Sequence, residues 1–222
     1  PRPGFDYWAS FQGQGRYWNS VFNVNGKREK PTDSTYVTHA ITNYAKDFLN
    51  TRDTTKPFFL YVSHKAVHAE FIPAPEHESV YKNEKLEYPP TMYPPSDPKA
   101  TVSEKQYNYQ DVPDWVKKQR YSWHGVDYLY HGQMDFDEFY RNYCETLLAL
   151  DESIGTLLNY LEANDLMENT TVIYMGDNGF SFGEHGLIDK RQAYEESMRV
   201  PLLVMGASVH PSVPDITHNV QN

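Results

Sequence analysis

Hydrophobic positions recur along the chain in two rhythms. Ile41, Tyr44, Ala45 and Phe48 share one helical face, with Asp33 or Ser34 standing where an N-cap is expected. Lys56-Pro57 ends that helix, and Phe58-Phe59-Leu60-Tyr61-Val62 follows without a polar interruption. Such a short run of aromatic and β-branched residues predicts a central parallel strand, buried on both faces. A second helical stripe runs from Phe139 through Cys144, Leu147 and Ile154 to Leu161, about seven turns with a bend at Gly155. Thr171–Met175 and Leu202–Met205 read as two more buried strands, separated by a short helix over Gln192–Met198. This alternation predicts an α/β fold, part of a doubly wound, mostly parallel sheet flanked by helices.

Between the first strand and the long helix the pattern disappears. Residues 63–136 hold eight of the fifteen prolines, from Pro73 to Pro113, and many tyrosines. A compact domain rarely carries so long an irregular stretch unless it shapes a cleft. The organisation expected is therefore helix and strand over 33–62, a cleft-forming loop insertion over 63–136, and helix, strand, site loop and strand over 137–206. Residues 1–31 are rich in aromatics, Gly and Asn, and suggest ordered loop with short strands. Neither end carries a start methionine, a leader pattern or a capping signal, so the chain reads as a portion of a longer protein.

Composition narrows the function classes. Twenty Lys and Arg against thirty Asp and Glu leave a net charge of −10, which argues against nucleic acid as a partner. A mean hydropathy of −0.71 and the lack of any long apolar run argue against a membrane span. Cys144 is the only cysteine, so no intrachain disulfide exists; on the apolar stripe of the long helix it reads as a structural thiol.

In an open α/β sheet, ligands gather beyond the carboxyl ends of the strands. After the first strand comes Ser63-His64-Lys65-Ala66-Val67-His68; after the second come Asp177-Asn178-Gly179 and Gly183-Glu184-His185-Gly186, then Lys190-Arg191. Asp177 and Asn178 offer hard oxygens of the type Ca²⁺ and Mg²⁺ prefer, although Asp-Asn-Gly is also common turn chemistry. Two oxygens fall well short of a calcium sphere of about six to eight. His64 and His68 stand four apart, but in a segment that predicts loop, so they make a weak zinc pair; a proton donor or an anion ligand is the other reading. Lys190 can hold an anion as a point charge or simply be solvated. In the long loop, Trp115, Trp123 and Tyr128 are candidate stacking surfaces, with Trp123-His124-Gly125 the segment of most interest.

Three stretches together resemble the type I sulfatases of the alkaline-phosphatase-like superfamily: Lys56 through His68, Tyr143 through Gly155, and Asp177-Asn178-Gly179 through Lys190 to Glu196. Phe5-Asp6-Tyr7-Trp8 and Tyr17-Trp18-Asn19, ahead of Val24-Asn25-Gly26-Lys27, are similar to the N-acetylglucosamine-6-sulfatase-like branch. The resemblance implies that Asp177 and Asn178 are calcium ligands. It implies that His68 contacts the sulfate or the leaving oxygen and that Lys190, thirteen residues after Asp177, binds a sulfate oxygen. Lys65, His185 and His124 become candidate substrate contacts.

The family's formylglycine nucleophile arises in a C/S-x-P/A-x-R motif, which this sequence lacks; Cys144 is followed by Glu-Thr-Leu. An early Asp-Asp pair is also lacking. The expectation is a portion of a sulfuric ester hydrolase acting on a sulfated sugar or glycan, inactive alone. Its nucleophile and remaining calcium ligands would come from a missing N-terminal part. Family resemblance places such a protein in the periplasm, outside the cell, or in a lysosome. A phosphodiesterase or phosphonate hydrolase of the same superfamily, and a non-catalytic binder of anionic glycans, are the alternatives.

Overall fold

The computed structural model describes residues 2–31, 34–92, 113–119 and 136–206. The chain divides into two compact units: Pro1–Asn83 with Arg141–Met167, and Glu84–Tyr140 with Glu168–Asn222.

The first unit opens with three short strands, β1 (Ala9–Phe11), β2 (Phe22–Val24) and β3 (Lys27–Glu29), joined in one antiparallel sheet. Helix α1 spans Val37–Thr51 and buries Val37, Ala40, Ile41, Ala45 and Leu49, one stripe at helical spacing. Its N-cap is Tyr36, with no side-chain cap, so Ser34 does not play that part, and Asp33 lies outside the described residues. The entry is held instead by the Trp18–Tyr36 bridge and by the Val37 amide donating to the Tyr17 carbonyl at 2.8 Å. At the far end Asp53 accepts from the Thr55 amide and hydroxyl (3.0 and 2.6 Å), and Pro57 completes the stop.

Phe58–Val62 is extended but pairs with no strand among the described residues, which corrects the expected central parallel strand. Its exposure alternates: Phe59 and Tyr61 are 79% and 76% exposed, whereas Phe58, Leu60 and Val62 are half-buried. One face lies on the helical side, where the Phe58 ring meets Phe48 and the Arg52 guanidinium. The other face is open.

The long helix runs over Phe136–Ala163, 28 residues, as its apolar stripe predicts. Its Arg141–Ala163 part packs in the first unit, where Ala149 and Leu150 join Tyr17, Phe22, Tyr36 and Ile41 in the core. Cys144 is half-buried and forms no disulfide.

In the second unit β4 (Thr171–Met175) pairs with a later strand, Leu202–Gly206, in register Ile173↔Val204 and Met175↔Leu202. That pairing is antiparallel, as is every strand pairing among the described residues, in a sheet expected to be mostly parallel. The connection explains why. It contains a two-residue-strand hairpin, β5 (Ser181–Phe182) with β6 (Ile188–Asp189), and a single helical turn, Glu195–Met198. A parallel return usually carries a crossover helix, and this connection has only that single turn. The short helix expected over Gln192–Met198 shrinks to that one turn.

Candidate functional site

The first unit presents Ser63–His68 directly after the extended run. His64 Nε2 lies 2.9 Å from the Ser153 hydroxyl, which is 2.6 Å from Thr42 Oγ1, and Thr42 donates to the Thr38 carbonyl at 2.8 Å. Proton counting fixes the direction of this chain. The Thr42 proton goes to Thr38, so Ser153 donates to Thr42 and must accept from His64 Nε2–H. His64 is thereby held as the Nε2–H tautomer, its Nδ1 carrying the lone pair. Burial pushes its pKa down to about 4, so the ring is neutral.

His68 points elsewhere: its Nδ1 contacts the Ala69 carbonyl. The two histidines are therefore committed to different partners and do not form a zinc pair. The Tyr17 phenol donates to the His68 carbonyl at 2.7 Å, and the Tyr36 phenol to that of Ile72 at 2.8 Å. These phenols lie 5.9 Å apart in a stacked pair and pin the segment that carries His68. Burial pushes both phenol pKa values up, so both remain donors. The Lys65 ammonium sits 4.7 Å over the Tyr17 ring, a cation–π contact. Partial burial draws the Lys65 pKa down, opposed by the Glu70 carboxylate.

The second unit presents the loop after β4. Asp177 Oδ1 accepts from the Asn178 amide at 2.9 Å, and Asn178 Nδ2 donates to the Gly179 carbonyl at 2.7 Å. With its NH₂ committed, Asn178 keeps Oδ1 as its lone-pair end; beside the exposed Asp177 carboxylate this makes a pair of hard oxygens. The donor chemistry fits Ca²⁺ as two ligands of a larger sphere. Gly179 is held by close approach, since a Cβ there would meet the Glu196 carbonyl oxygen at 2.0 Å.

Farther along, the Glu184 carboxylate accepts from the Phe182 amide at 2.6 Å, and burial raises its pKa. His185 stacks on Tyr194 at 4.0 Å between ring centroids, and Trp115 stacks beyond Tyr194 at 6.3 Å. The His185 Nε2 is 3.9 Å from Glu196 Oε2. Burial lowers the His185 pKa, with Glu196 pulling the other way. Lys190 is half-buried, and its ammonium makes no ion pair among the described residues. Its neighbours Asp189 and Arg191 pair with each other.

The candidate residues thus fall into two local sets: His64, Lys65 and His68 in the first unit, and Asp177, Asn178, His185 and Lys190 in the second. His124, with Trp123 and Tyr128, lies outside the described residues. Ser153, Thr42 and Tyr17, which orient His64 and His68, have no signal in the local sequence; they act across separations of 51 to 111 residues.

Residues 1–221 match the family model described as Sulfatase. The chain is 30% identical, over 90% of its length, to an N-acetylglucosamine-6-O-sulfatase of Bacteroides thetaiotaomicron, and 29% identical over 94% to the N-acetylglucosamine-6-sulfatase of Capra hircus. It spans 44% and 35% of those relatives. Among solved structures it superimposes, with a TM-score of 0.71 and 28% identity, on a protein in complex with its substrate D-glucosamine-2-N,6-O-disulfate. That match covers 93% of this chain and 50% of the other. The chain belongs to the sulfatase family, and its mixed helix-and-sheet architecture is the α/β, alkaline-phosphatase-like one. No helix among the described residues is long and apolar enough to cross a membrane.

Proposed function

We propose that the protein of which this chain forms part is a sulfuric ester hydrolase that removes sulfate from a sulfated amino sugar. The observation that carries this reading is the family match over residues 1–221, joined to two N-acetylglucosamine-6-sulfatase relatives. A solved relative bound to a 6-O-sulfated glucosamine supports the same substrate class.

In this reading His68 meets the ester oxygen and supplies its proton as the sugar alcohol leaves. Lys190, an ammonium with no ion pair among the described residues, holds a sulfuryl oxygen. Lys65, His185 and His124 are the substrate contacts in this reading. Asp177 and Asn178 would hold Ca²⁺ through their oxygens, and the cation would supply charge stabilisation at the sulfuryl group. Formylglycine and the other calcium ligands come from sequence outside these 222 residues, which is why the chain alone is inactive. The His185–Tyr194–Trp115 stack offers a flat apolar surface of the kind sugar rings pack against. Location follows the relatives: a secreted, periplasmic or lysosomal protein.

The test joins the chain to its upstream sequence and follows sulfate release from N-acetylglucosamine-6-sulfate. Turnover is expected, with Lys190→Ala and Asp177→Asn each lowering kcat by about a hundred- to a thousandfold. Hydrolysis of a phosphodiester in place of the sulfate ester moves the assignment to the phosphoesterase branch, and turnover of neither sinks the enzymatic reading.

A further inference from the structure

A second group of ligand-type side chains lies in the first unit and includes none of the residues assigned above. His39 projects from the first turn of α1, Glu76 and His77 from the 3₁₀ turn Pro75–His77, and Glu152 from the long helix. One ligand atom from each of His39, Glu76 and Glu152 lies within 4.8 Å of the others. His39 Nε2 is 3.0 Å from Glu76 Oε1, and His77 Nε2 is 3.1 Å from Glu152 Oε2.

His77 supplies an independent indication. Its side chain is 10% exposed, yet its Nε2 makes no hydrogen bond. The Glu152 carboxylate stands at ion-pair distance from it, without a hydrogen bond between the two. A buried imidazole nitrogen without a hydrogen bond is unfavourable unless something else engages it. Imidazole nitrogens and carboxylate oxygens brought together from three elements present donors of the kind a common cation takes.

We propose that His39, Glu76 and Glu152, backed by His77, form a binding site for a first-row divalent cation of the zinc type. Imidazole nitrogen among the donors selects this class over Ca²⁺, which takes oxygen ligands. Zinc–ligand bonds of about 2.0–2.2 Å place tetrahedral ligands ~3.4 Å apart, an adjustment that the exposed Glu76 and Glu152 carboxylates reach by rotamer change. Three protein ligands leave a fourth position for water or for His77.

The backbone beneath is already fastened. The Tyr36 phenol ties Ile72 to the start of α1, and Glu145 Oε1 accepts from the Tyr81 amide at 3.0 Å. The cation would join α1, the 3₁₀ turn and the long helix, and so brace the segment that leads away from His68.

The test is calorimetric titration of the 222-residue chain with ZnCl₂ alone and with CaCl₂ alone. One zinc per chain is expected, with no calcium heat that competes for it. His39→Ala and Glu152→Gln, both at partly exposed positions, are each expected to weaken zinc at least tenfold with an unchanged circular dichroism spectrum. Asp177→Asn is expected to leave it unaltered. Co²⁺ in place of zinc adds a visible d–d band that the same two substitutions remove. Absence of zinc heat in the unmodified chain, or wild-type affinity in both variants, overturns the site.

Discussion

His64 Nε2 lies 2.9 Å from the hydroxyl of Ser153, and the hydrogen-bond chain beyond it ends on a helix carbonyl. The arrangement accepts a neutral ring and has no place for a second proton except Nδ1. Burial holds the folded pKa near 4, below the ordinary value of 6.5. Between these two values the unfolded chain binds the extra proton and the folded chain does not. The stabilisation is therefore complete above about pH 6.5 and is lost as pH falls toward 4, amounting to roughly 2–4 kcal/mol over that window. Urea midpoints at pH 7 and pH 5 should separate more for the unmodified chain than for His64→Gln. Equal separations would remove the linkage from His64.

Two glycines give opposite expectations. At Gly179 a methyl group would strike the backbone carbonyl oxygens of Glu196 and Arg199 at 2.0 and 2.8 Å, and neither can swing aside as a side chain does. Gly179→Ala should destabilise the second unit by about 1–3 kcal/mol. Gly155 sits inside the long helix with nothing within 4 Å of an added Cβ. Gly155→Ala should stabilise by about 0.5–1 kcal/mol, because glycine loses more backbone freedom in a helix. Urea unfolding of both variants gives the signs directly.

The Tyr194 ring covers one face of the His185 imidazole, 4.0 Å between ring centroids. Removing the ring in Tyr194→Ala should bring the His185 pKa back up toward the ordinary value, since desolvation is its largest cause. Glu196→Gln should move it the other way, because the carboxylate 3.9 Å away favours the charged form. Titration of the His185 ring protons by NMR distinguishes the two. Shifts in the same direction would mean that a different group sets this pKa.

Elements with a strong local period were legible in the sequence, and elements defined by a partner were not. The long helix declares itself because one apolar stripe runs through it, and Phe136–Ala163 follows that stripe. Phe58–Val62 has the composition of a buried strand, but a strand needs a neighbour, and composition names none. The direction of the strand after the site loop was equally hidden, since it depends on what fills the connection. Among the candidate residues, Asp177, Asn178 and Lys190 stand out through short-range motifs. The tautomer of His64, set by Ser153 and Thr42 from two different helices, has no counterpart in spacing. The same is true of His39, Glu76, His77 and Glu152, which meet only through tertiary packing.

The β4–β7 pair, with β7 the strand Leu202–Gly206, leads to the last expectation. Its register places Ile173, Met175, Leu202 and Val204 on one face, and these residues are 60%, 64%, 63% and 45% exposed. Four neighbouring aliphatic side chains in water form an apolar patch of the kind that single monomers seldom leave open. At about 25 cal/mol per Å² such a face gains substantially from any apolar cover. The chain by itself should therefore bind a hydrophobic dye and associate in a concentration-dependent way. The double substitution Ile173→Lys with Val204→Lys places like charges on directly opposed positions of that face. It should abolish the association, at a cost to stability of about 1 kcal/mol. Light scattering on a dilution series measures this: a chain that stays monomeric at every concentration and binds no dye has its patch covered from within.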